Sequence, residues 1–306
     1  MRLRIASRGS ALARAQTTDV ARRLAQLGHA PEIVIIATAG DADKERAFTD
    51  IGTFGIFVRE LEAALLDGRA DLAVHSYKDL PSRSPEGLVI AAVPERLDPA
   101  DVLLIRAGSA DATAPSLPVR AHARVGTSAA RRRALVAAAR PDLETVLLRG
   151  NVPTRIHALL EGRYDAIVLA AAGLARLERT SSAPLVPSHI VRARLDPRRF
   201  VPAPSQGAIA VQARLDAPDV LAAARALDDP RAARTLRAER ALLELADAGC
   251  SLPFGAWCEA GAGDAFVLHT VLGLADGTLA RAVVAGTDPD AAAAAAWAEL
   301  SAAVPA

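Results

Sequence analysis

The 306-residue sequence contains few of the residues that several common kinds of protein require. Cysteine occurs only at Cys250 and Cys258, which are not spaced as a Cys-x-x-Cys pair. A disulfide framework and a zinc site are therefore not expected, and a reducing compartment is favoured. Aromatic residues form 3% of the chain, and 36 Lys+Arg are balanced by 35 Asp+Glu. Because surfaces that bind nucleic acid combine excess positive charge with stacking aromatics, no nucleic acid is expected as a partner.

Long apolar runs are also missing. No run reaches the length of a membrane-spanning helix, and the chain enters a strand pattern at Leu3 without the apolar core of a signal peptide. We therefore expect a cytoplasmic protein with no membrane partner. The hydrophobic fraction is 51%, much of it alanine, which is enough for two or three domains with cores of their own.

Three strand-to-helix junctions carry arginine and small polar residues. One is Ser7-Arg8-Gly9-Ser10, and the others follow Val125 and Leu148. The free N–H groups at a helix start attract negative oxygens, and arginine binds a carboxylate or a phosphate with two parallel hydrogen bonds. The sequence therefore predicts a cleft for a small molecule with several negative groups. The alternative for the run Arg131-Arg132-Arg133 is a solvated helix face.

A buried strand that begins near Asp71 runs into a polar turn that ends at Asp79. Asp79 comes just after the carboxyl end of the strand, where open α/β sheets bind their ligands. An aspartate in such a position is often only a turn former. The polar side chains of His75, Ser76 and Lys78 on the same loop favour a functional role instead.

The order of the elements predicts two α/β lobes and a smaller C-terminal domain. Alternating strand and helix patterns favour βα units with a largely parallel sheet in each lobe. A returning strand, Ile209–Arg214, is expected in the first sheet. Near the C-terminus a hairpin joined at Asp276-Gly277 and an alanine-rich helix from Pro289 predict an α+β fold. The predicted domains are residues 1–98 with 200–218, residues 103–194, and residues 225–306.

Two loops interrupt these patterns. Residues Ala39–Gly55 are polar and have no clear period, which predicts a loop or lid. The second loop contains Gly249-Cys250 after a long helix. A cysteine is most often a small buried hydrophobic residue. The functional alternative is a thiol on an exposed loop that forms a covalent bond.

With these residues assembled, the chain resembles the porphobilinogen deaminase family along almost its whole length. The matching motifs occur in the family's order, so they are specific together although each is weak alone. They are Arg4-Ile-Ala-Ser-Arg-Gly-Ser10, Phe57-Val-Arg-Glu-Leu-Glu62, Ala73-Val-His-Ser-Tyr-Lys-Asp-Leu-Pro81, Gly126-Thr-Ser-Ala-Ala-Arg-Arg132, Leu148-Arg-Gly-Asn-Val-Pro-Thr-Arg155, Ala172-Gly-Leu-Ala-Arg176 and Gly249-Cys-Ser-Leu-Pro253.

The resemblance implies an enzyme that joins four porphobilinogen molecules head to tail, with loss of ammonia, into the linear tetrapyrrole hydroxymethylbilane. It implies two lobes that resemble periplasmic binding proteins, a central cleft between them and a third domain. It also implies a dipyrromethane cofactor attached as a thioether to Cys250. The substrate is a small molecule, no metal is implied, and a monomer is expected.

The resemblance also assigns roles by motif position. Asp79 matches the catalytic carboxylate, which stabilises the cation formed when ammonia leaves and passes protons. The implied cofactor-binding residues are Ser76, Lys78, Thr127, Ser128, Arg131 and Arg132. The implied substrate-binding residues are Arg8, Ser10, Arg149, Arg155 and Arg176.

The sequence departs from the family pattern near this site. Phe54 and Asp50 stand where lysine is common, and Ala129 replaces a serine. Two alternatives follow: a slow or degenerate homologue, and a non-catalytic two-lobe protein that binds anions. A protein that only binds anions would require neither Cys250 nor a third domain.

Overall fold

The computed structural model describes residues 1–36, 56–246 and 252–304. The chain forms two compact units, one of Met1–Leu97 with Gly207–Arg234 and the other of Asp98–Gln206 with Thr235–Ala306. Each unit contains a five-stranded sheet, and the second also contains a three-stranded sheet. The prediction of two α/β lobes and a small C-terminal α+β part is thus confirmed, whereas the three domain boundaries stay a prediction.

The first unit consists of strands covered by helices. Its elements are β1 (Arg2–Arg8), α1 (Ala11–Gln26), β2 (Ala30–Ile36), α2 (Ile56–Leu66), β3 (Leu72–Ser76), β4 (Leu88–Ala92), β10 (Ile209–Arg214) and α6 (Pro218–Arg225). The strand order is β2-β1-β3-β10-β4. The predicted returning strand is therefore confirmed, and it lies between β3 and β4.

Helices α1 and α2 cover opposite faces of this sheet. Val20 of α1 packs in one apolar cluster with Ile5, and Leu61 of α2 packs in another with Ala6. The side chains of successive strand residues point to opposite faces of the sheet. Ile5 therefore packs on the side of α1, and Ala6 packs on the side of α2. The carboxyl ends of β1 and β3 are left at one edge of the sheet, because these strands are parallel neighbours.

The second unit holds the remaining elements. They are β5 (Asp101–Arg106), β6 (Arg124–Gly126), α3 (Ala130–Ala139), β7 (Glu144–Val146), α4 (Val152–Leu160), β8 (Ala166–Ala170), α5 (Ala171–Thr180), β9 (Ile190–Arg194), α7 (Pro230–Leu245), which begins in the first unit, β11 (Phe254–Ala260), β12 (Phe266–Gly273), β13 (Leu279–Gly286) and α8 (Pro289–Ala302). The strand orders are β7-β6-β8-β5-β9 and β11-β12-β13.

In each five-stranded sheet four strands run in one direction and one strand runs in the other, so the expectation of largely parallel sheets is confirmed with one exception in each sheet. Strand β1 is parallel to β2 and β3, whereas β10 is antiparallel to β3 and β4. In the other sheet β6 is parallel to its neighbours, and β5 is antiparallel to β8 and β9. The alternation of strands and helices predicts the common direction, but it does not reveal which strand is reversed, because that depends on the path of the connections.

The three-stranded sheet is antiparallel and joins the second lobe. The hairpin predicted at Asp276-Gly277 is confirmed, with a left-handed φ of 85° at the glycine. One face of the sheet packs against α7 and α8. On the other face Val271 packs with Val201, and the Ala256 N–H donates to the Pro202 carbonyl at 3.0 Å. The C-terminal part and the second lobe therefore share one core region.

None of the helices in the described ranges combines the length and the hydropathy that crossing a bilayer requires. The predicted loop Ala39–Gly55, which includes Asp50 and Phe54, lies outside the described residues.

Candidate functional site

The carboxylate of Asp79 stands on a short, anchored turn. A single turn of 3-10 helix, Tyr77–Asp79, follows β3 directly. The Tyr77 N–H donates to the Ala208 carbonyl at 3.1 Å, and the buried Leu80 packs with Ala210. Asp79 itself is exposed. The fold therefore presents this carboxylate to solvent from an anchored backbone at the carboxyl end of a strand.

The other site residues predicted in the first unit lie at or near the ends of β1, β3 and α1. The hydroxyl oxygen of Ser76, the last residue of β3, is 2.9 Å from Nε2 of Gln16, a residue of α1 that is 3% exposed. Ser10 caps α1, because its hydroxyl accepts a hydrogen bond from the first turn of the helix at 3.3 Å. Arg8 ends β1 and is half-buried, as is Lys78. Arg8 and Ser76 thus lie at one edge of the sheet.

His75 begins a buried chain of three polar side chains. Its Nε2 is 3.1 Å from Oε1 of Gln212, and Nε2 of Gln212 is 3.1 Å from Oε1 of Glu62. All three residues are buried. Burial, with a smaller contribution from the charge of Arg8, lowers the pKa of His75 to about 4. The imidazole is therefore neutral at physiological pH.

Arg131 and Arg132 lie at the start of α3 and point into the interior of the second unit. They are 5% and 6% exposed. Nη2 of Arg131 is 2.9 Å from Oδ2 of Asp101, and Nη2 of Arg132 is 2.6 Å from Oδ1 of the same residue. The alternative of a solvated helix face is therefore wrong for these two arginines. Within the run it holds for Arg133, which is exposed.

Asp101 begins β5, is fully buried, and accepts hydrogen bonds from both guanidinium groups and from Gln206 at 2.9 Å. Burial by itself would raise the pKa of Asp101. The charges of Arg131 and Arg132, with the hydrogen bonds, hold that pKa well below its usual range. The cluster contains two cations and one anion, so its excess positive charge suits a carboxylate ligand.

The segment Thr127–Ala129 connects β6 to α3. The Thr127 N–H donates to the Val146 carbonyl at 2.9 Å, and its Oγ1 accepts from the Ala129 N–H at 3.3 Å. Thr127 is fully buried, whereas Ser128 is half-buried. Ala129 stands at the N-cap of α3 and provides no side-chain hydrogen bond. The substitution of serine by alanine therefore removes a hydroxyl at a helix start.

The three remaining arginines are held by different local structures. Arg149 is exposed, and Nε of Arg155 donates to the Gly150 carbonyl at 2.6 Å. Gly150 has a φ of 100°, and a Cβ there would lie 2.9 Å from Thr154 Cγ2, so this loop requires glycine. Arg176 is 9% exposed in α5. The structure thus places Arg149 and Arg155 at one loop and helix start, with Arg176 on a separate helix.

The predicted attachment residue, Cys250, lies outside the described residues. The other cysteine, Cys258, lies in β11 and is 3% exposed. It packs in the apolar cluster of the three-stranded sheet.

Three polar residues near the predicted sites were missed in the sequence: Gln16, Asp101 and Gln212. Each stands in or beside an apolar helix face or strand and is buried. This is the signal that could have found them, because a buried polar group needs a hydrogen-bond partner. The identity of the partner is decided by the fold.

Sequence comparison finds relatives along nearly the whole chain. A family model described as "Porphobilinogen deaminase, dipyromethane cofactor binding domain" matches residues 3–222. The chain is 42% identical over 292 residues to the "Probable porphobilinogen deaminase" of Hyperthermus butylicus, which covers 95% of this chain and 92% of the relative. It is also 42% identical to the "Porphobilinogen deaminase" of Roseiflexus sp. (strain RS-1), with 94% and 90% covered.

The solved structures that match this chain are much less similar to it in sequence. The periplasmic VFT2 domain of Bordetella pertussis BvgS matches with a TM-score of 0.42 at 16% identity, over 74% of this chain and 86% of that one. A putative periplasmic sulfonate-binding protein from Methylobacillus flagellatus matches with a TM-score of 0.39 at 14% identity, over 78% and 67%.

Proposed function

Since the chain belongs to the porphobilinogen deaminase family, we propose that Asp79 is the carboxylate with which it polymerises porphobilinogen in tetrapyrrole biosynthesis. The enzyme joins four porphobilinogen molecules head to tail, with loss of ammonia, into hydroxymethylbilane. The observation that carries the assignment is the placement of Asp79, exposed on an anchored turn at the carboxyl end of β3. Open α/β sheets bind their ligands at this kind of edge.

The chemistry needs a fixed negative charge. In each coupling the carbon–nitrogen bond of an aminomethyl group breaks, and ammonia leaves with the bonding electrons and a proton. The positive charge that remains spreads over the methylene-pyrrole and its N–H. A carbon–carbon bond then forms to the next pyrrole ring, and the attacked ring carbon releases its proton. A carboxylate at Asp79 against the pyrrole N–H stabilises the cation and takes part in these proton transfers.

The acetate and propionate groups of the pyrroles require cations and hydrogen-bond donors. Arg8 and Ser76 support a shared ligand surface in the first unit, because they end parallel neighbouring strands. Arg155 is supported by the glycine loop that holds its guanidinium group. The residues assigned to substrate and growing chain are Arg8, Ser10, Arg149, Arg155 and Arg176. Ser76 and Lys78 are assigned to the cofactor.

The chain contains the family's dipyrromethane-binding domain, and we assign the covalent attachment to Cys250. The donor set of the second unit suits this group. Arg131 and Arg132 make five hydrogen bonds to described acceptors, about half the number that their N–H groups allow. Thr127 and Ser128 add hydroxyl groups. When bound, the dipyrromethane supplies the pyrrole carbon to which the first substrate is joined.

Purified enzyme carrying Asp79→Asn tests the catalytic assignment. Conversion of porphobilinogen to a product that oxidises to uroporphyrin should fall by about a hundredfold or more. The unfolding midpoint should change little, because Asp79 is exposed. Glu86→Gln is the matched control, since Glu86 is an exposed carboxylate on the following loop. Turnover of Asp79→Asn within a few-fold of this control would remove Asp79 from the catalytic role.

A slow homologue is the second candidate, and the missing hydroxyl at Ala129 favours it. If this hydroxyl limits anion binding at the start of α3, Ala129→Ser should raise turnover. Equal steady-state rates for the two forms would remove the observation on which this candidate depends.

A further inference from the structure

His75, Gln212 and Glu62 come from three elements that meet on one face of the first sheet. Gln212 of β10 lies opposite Ala73 of β3, and Ala210 lies opposite His75. His75 and Gln212 therefore share a face as diagonal neighbours. Helix α2 covers this face and brings Glu62 to the other end of the Gln212 side chain.

The order of donors and acceptors along these three side chains determines which ring nitrogen of His75 carries the proton. Burial raises the pKa of Glu62, whereas the hydrogen bond from Gln212 and the charge of Arg59 favour the ionised carboxylate. The ionised form only accepts hydrogen bonds, so it requires the amide nitrogen of Gln212 to face it. The amide oxygen of Gln212 then faces Nε2 of His75 at 3.1 Å. Because an amide oxygen only accepts, Nε2 must carry the proton. A neutral imidazole has one N–H, so Nδ1 is left with a lone pair.

The surroundings of His75 favour the neutral ring. The residue is 6% exposed, and burial disfavours its charged form. The positive charge of Arg8 acts in the same direction. Glu62 is the only acidic residue among these three side chains, and Gln212 separates it from the imidazole. The geometry thus prevents a direct ion pair between His75 and Glu62.

The same face anchors the turn that carries Asp79. Ala210, the register partner of His75, packs in one apolar cluster with Val58 and Leu80. Leu80 follows Asp79 directly. His75 is therefore paired directly with a residue of the apolar cluster that holds the turn.

We propose that Gln212, oriented by Glu62, is a positioning residue that holds His75 as the neutral Nε2–H tautomer and, through His75, holds the Asp79 turn. The kinetic consequence rests on the proposed role of Asp79. The tautomer does not depend on that role, so the two parts can fail separately.

Nitrogen-15 NMR on the full-length enzyme tests the tautomer directly at pH 7.5. Two-bond correlations between ring protons and ring nitrogens distinguish a protonated Nε2 from a protonated Nδ1. The signal of His75 is assigned by its loss in His75→Gln, and the exposed His122 and His189 serve as internal references. The expected result is a protonated Nε2 with an unprotonated Nδ1. A ring protonated at Nδ1 alone, or at both nitrogens, would overturn the proposal.

Two variants then test the orienting contacts. Glu62→Gln keeps the shape but no longer forces one orientation of the Gln212 amide, so His75 should become a mixture of tautomers. Gln212→Met removes both hydrogen bonds and should have the same effect. We expect a several-fold fall in kcat with little change in KM for Glu62→Gln. If Glu62→Gln retains the single tautomer and normal kcat, Glu62 does not orient Gln212 and the proposal is wrong. Glu62→Gln also keeps the test informative if Gln212→Met does not fold.

Discussion

Nη2 of Arg132 donates a hydrogen bond of 2.6 Å to Oδ1 of Asp101 in the interior of the second unit. The two residues are 6% and 0% exposed. Asp101 also accepts from Arg131, so a single carboxylate is the shared counter-charge of two buried cations. Removing one member of a buried ionic cluster leaves the others without a counter-charge, which is far more costly than losing an exposed pair. We therefore expect Asp101 to have a larger effect on stability than the surface ion pairs of the described residues.

Asp101→Asn should lower the free energy of unfolding by about 3–5 kcal/mol, because it leaves Arg131 and Arg132 buried with less compensation. The control is Asp98→Asn, which removes a partly exposed pair with Arg194 and should cost about 1 kcal/mol or less. Urea unfolding at neutral pH measures both. The pKa of Asp101 is lowered, so its contribution is present throughout the neutral range and is lost only in strong acid. Equal midpoints for the two variants would contradict this prediction.

Cys250→Ala should abolish a covalent mass increment of two condensed pyrrole units, because we assign the thioether to Cys250. Intact-protein mass spectrometry measures the increment. Cys258→Ala is the matched control, since that thiol is buried in an apolar cluster and a small apolar side chain fits there. Retention of the increment in Cys250→Ala, or its loss in Cys258→Ala alone, would contradict the assignment.

His75 should lower the free energy of unfolding in mild acid. Its pKa is lowered to about 4 in the folded protein, against about 6.5 in an unfolded chain. Between these pH values the unfolded chain binds a proton that the folded protein does not, so stability falls as the pH falls. The loss from this group reaches about 3 kcal/mol near pH 4.

The comparison with His75→Gln isolates this effect, because the other titrating groups are common to both proteins. The free energy of unfolding is measured from pH 7 to pH 4.5 for each. The wild-type protein should lose more stability than the variant across this range. Parallel pH profiles would show that His75 does not titrate differently in the two states.

Ser205 offers a test of backbone strain. It is fully buried and has a φ of 62°, a left-handed conformation that favours glycine. Its N–H donates to Oε2 of Glu239 at 2.7 Å, which holds the backbone in place. Ser205→Gly should therefore be more stable than Ser205→Ala by about 1 kcal/mol, because both lack the hydroxyl and only alanine keeps the strained Cβ. Thermal unfolding measures the difference, and a more stable alanine variant would contradict the strain argument.

The sequence by itself determined most of the local structure and supplied the residues that we propose for the site. The apolar run before His75 predicted a buried strand, and the polar residues after it placed Asp79 at the strand's end. The turn residues at Asp276-Gly277 predicted the hairpin of the C-terminal sheet. These features were predictable because hydrophobic period and turn chemistry act over a few neighbouring residues. The same local motifs, in order along the chain, were enough to indicate the family.

Only the tertiary structure decided which polar groups meet in the interior and which way the strands run. Asp101 reaches Arg131 across 30 positions, and Gln212 reaches Glu62 across 150. No short-range pattern specifies such partners, because they depend on the strand order and on the path of the crossovers. The sequence predicted largely parallel sheets, and for the same reason it did not identify β5 and β10 as the strands that run antiparallel to both neighbours. A buried polar residue shows that a partner is needed, and the fold then selects the partner.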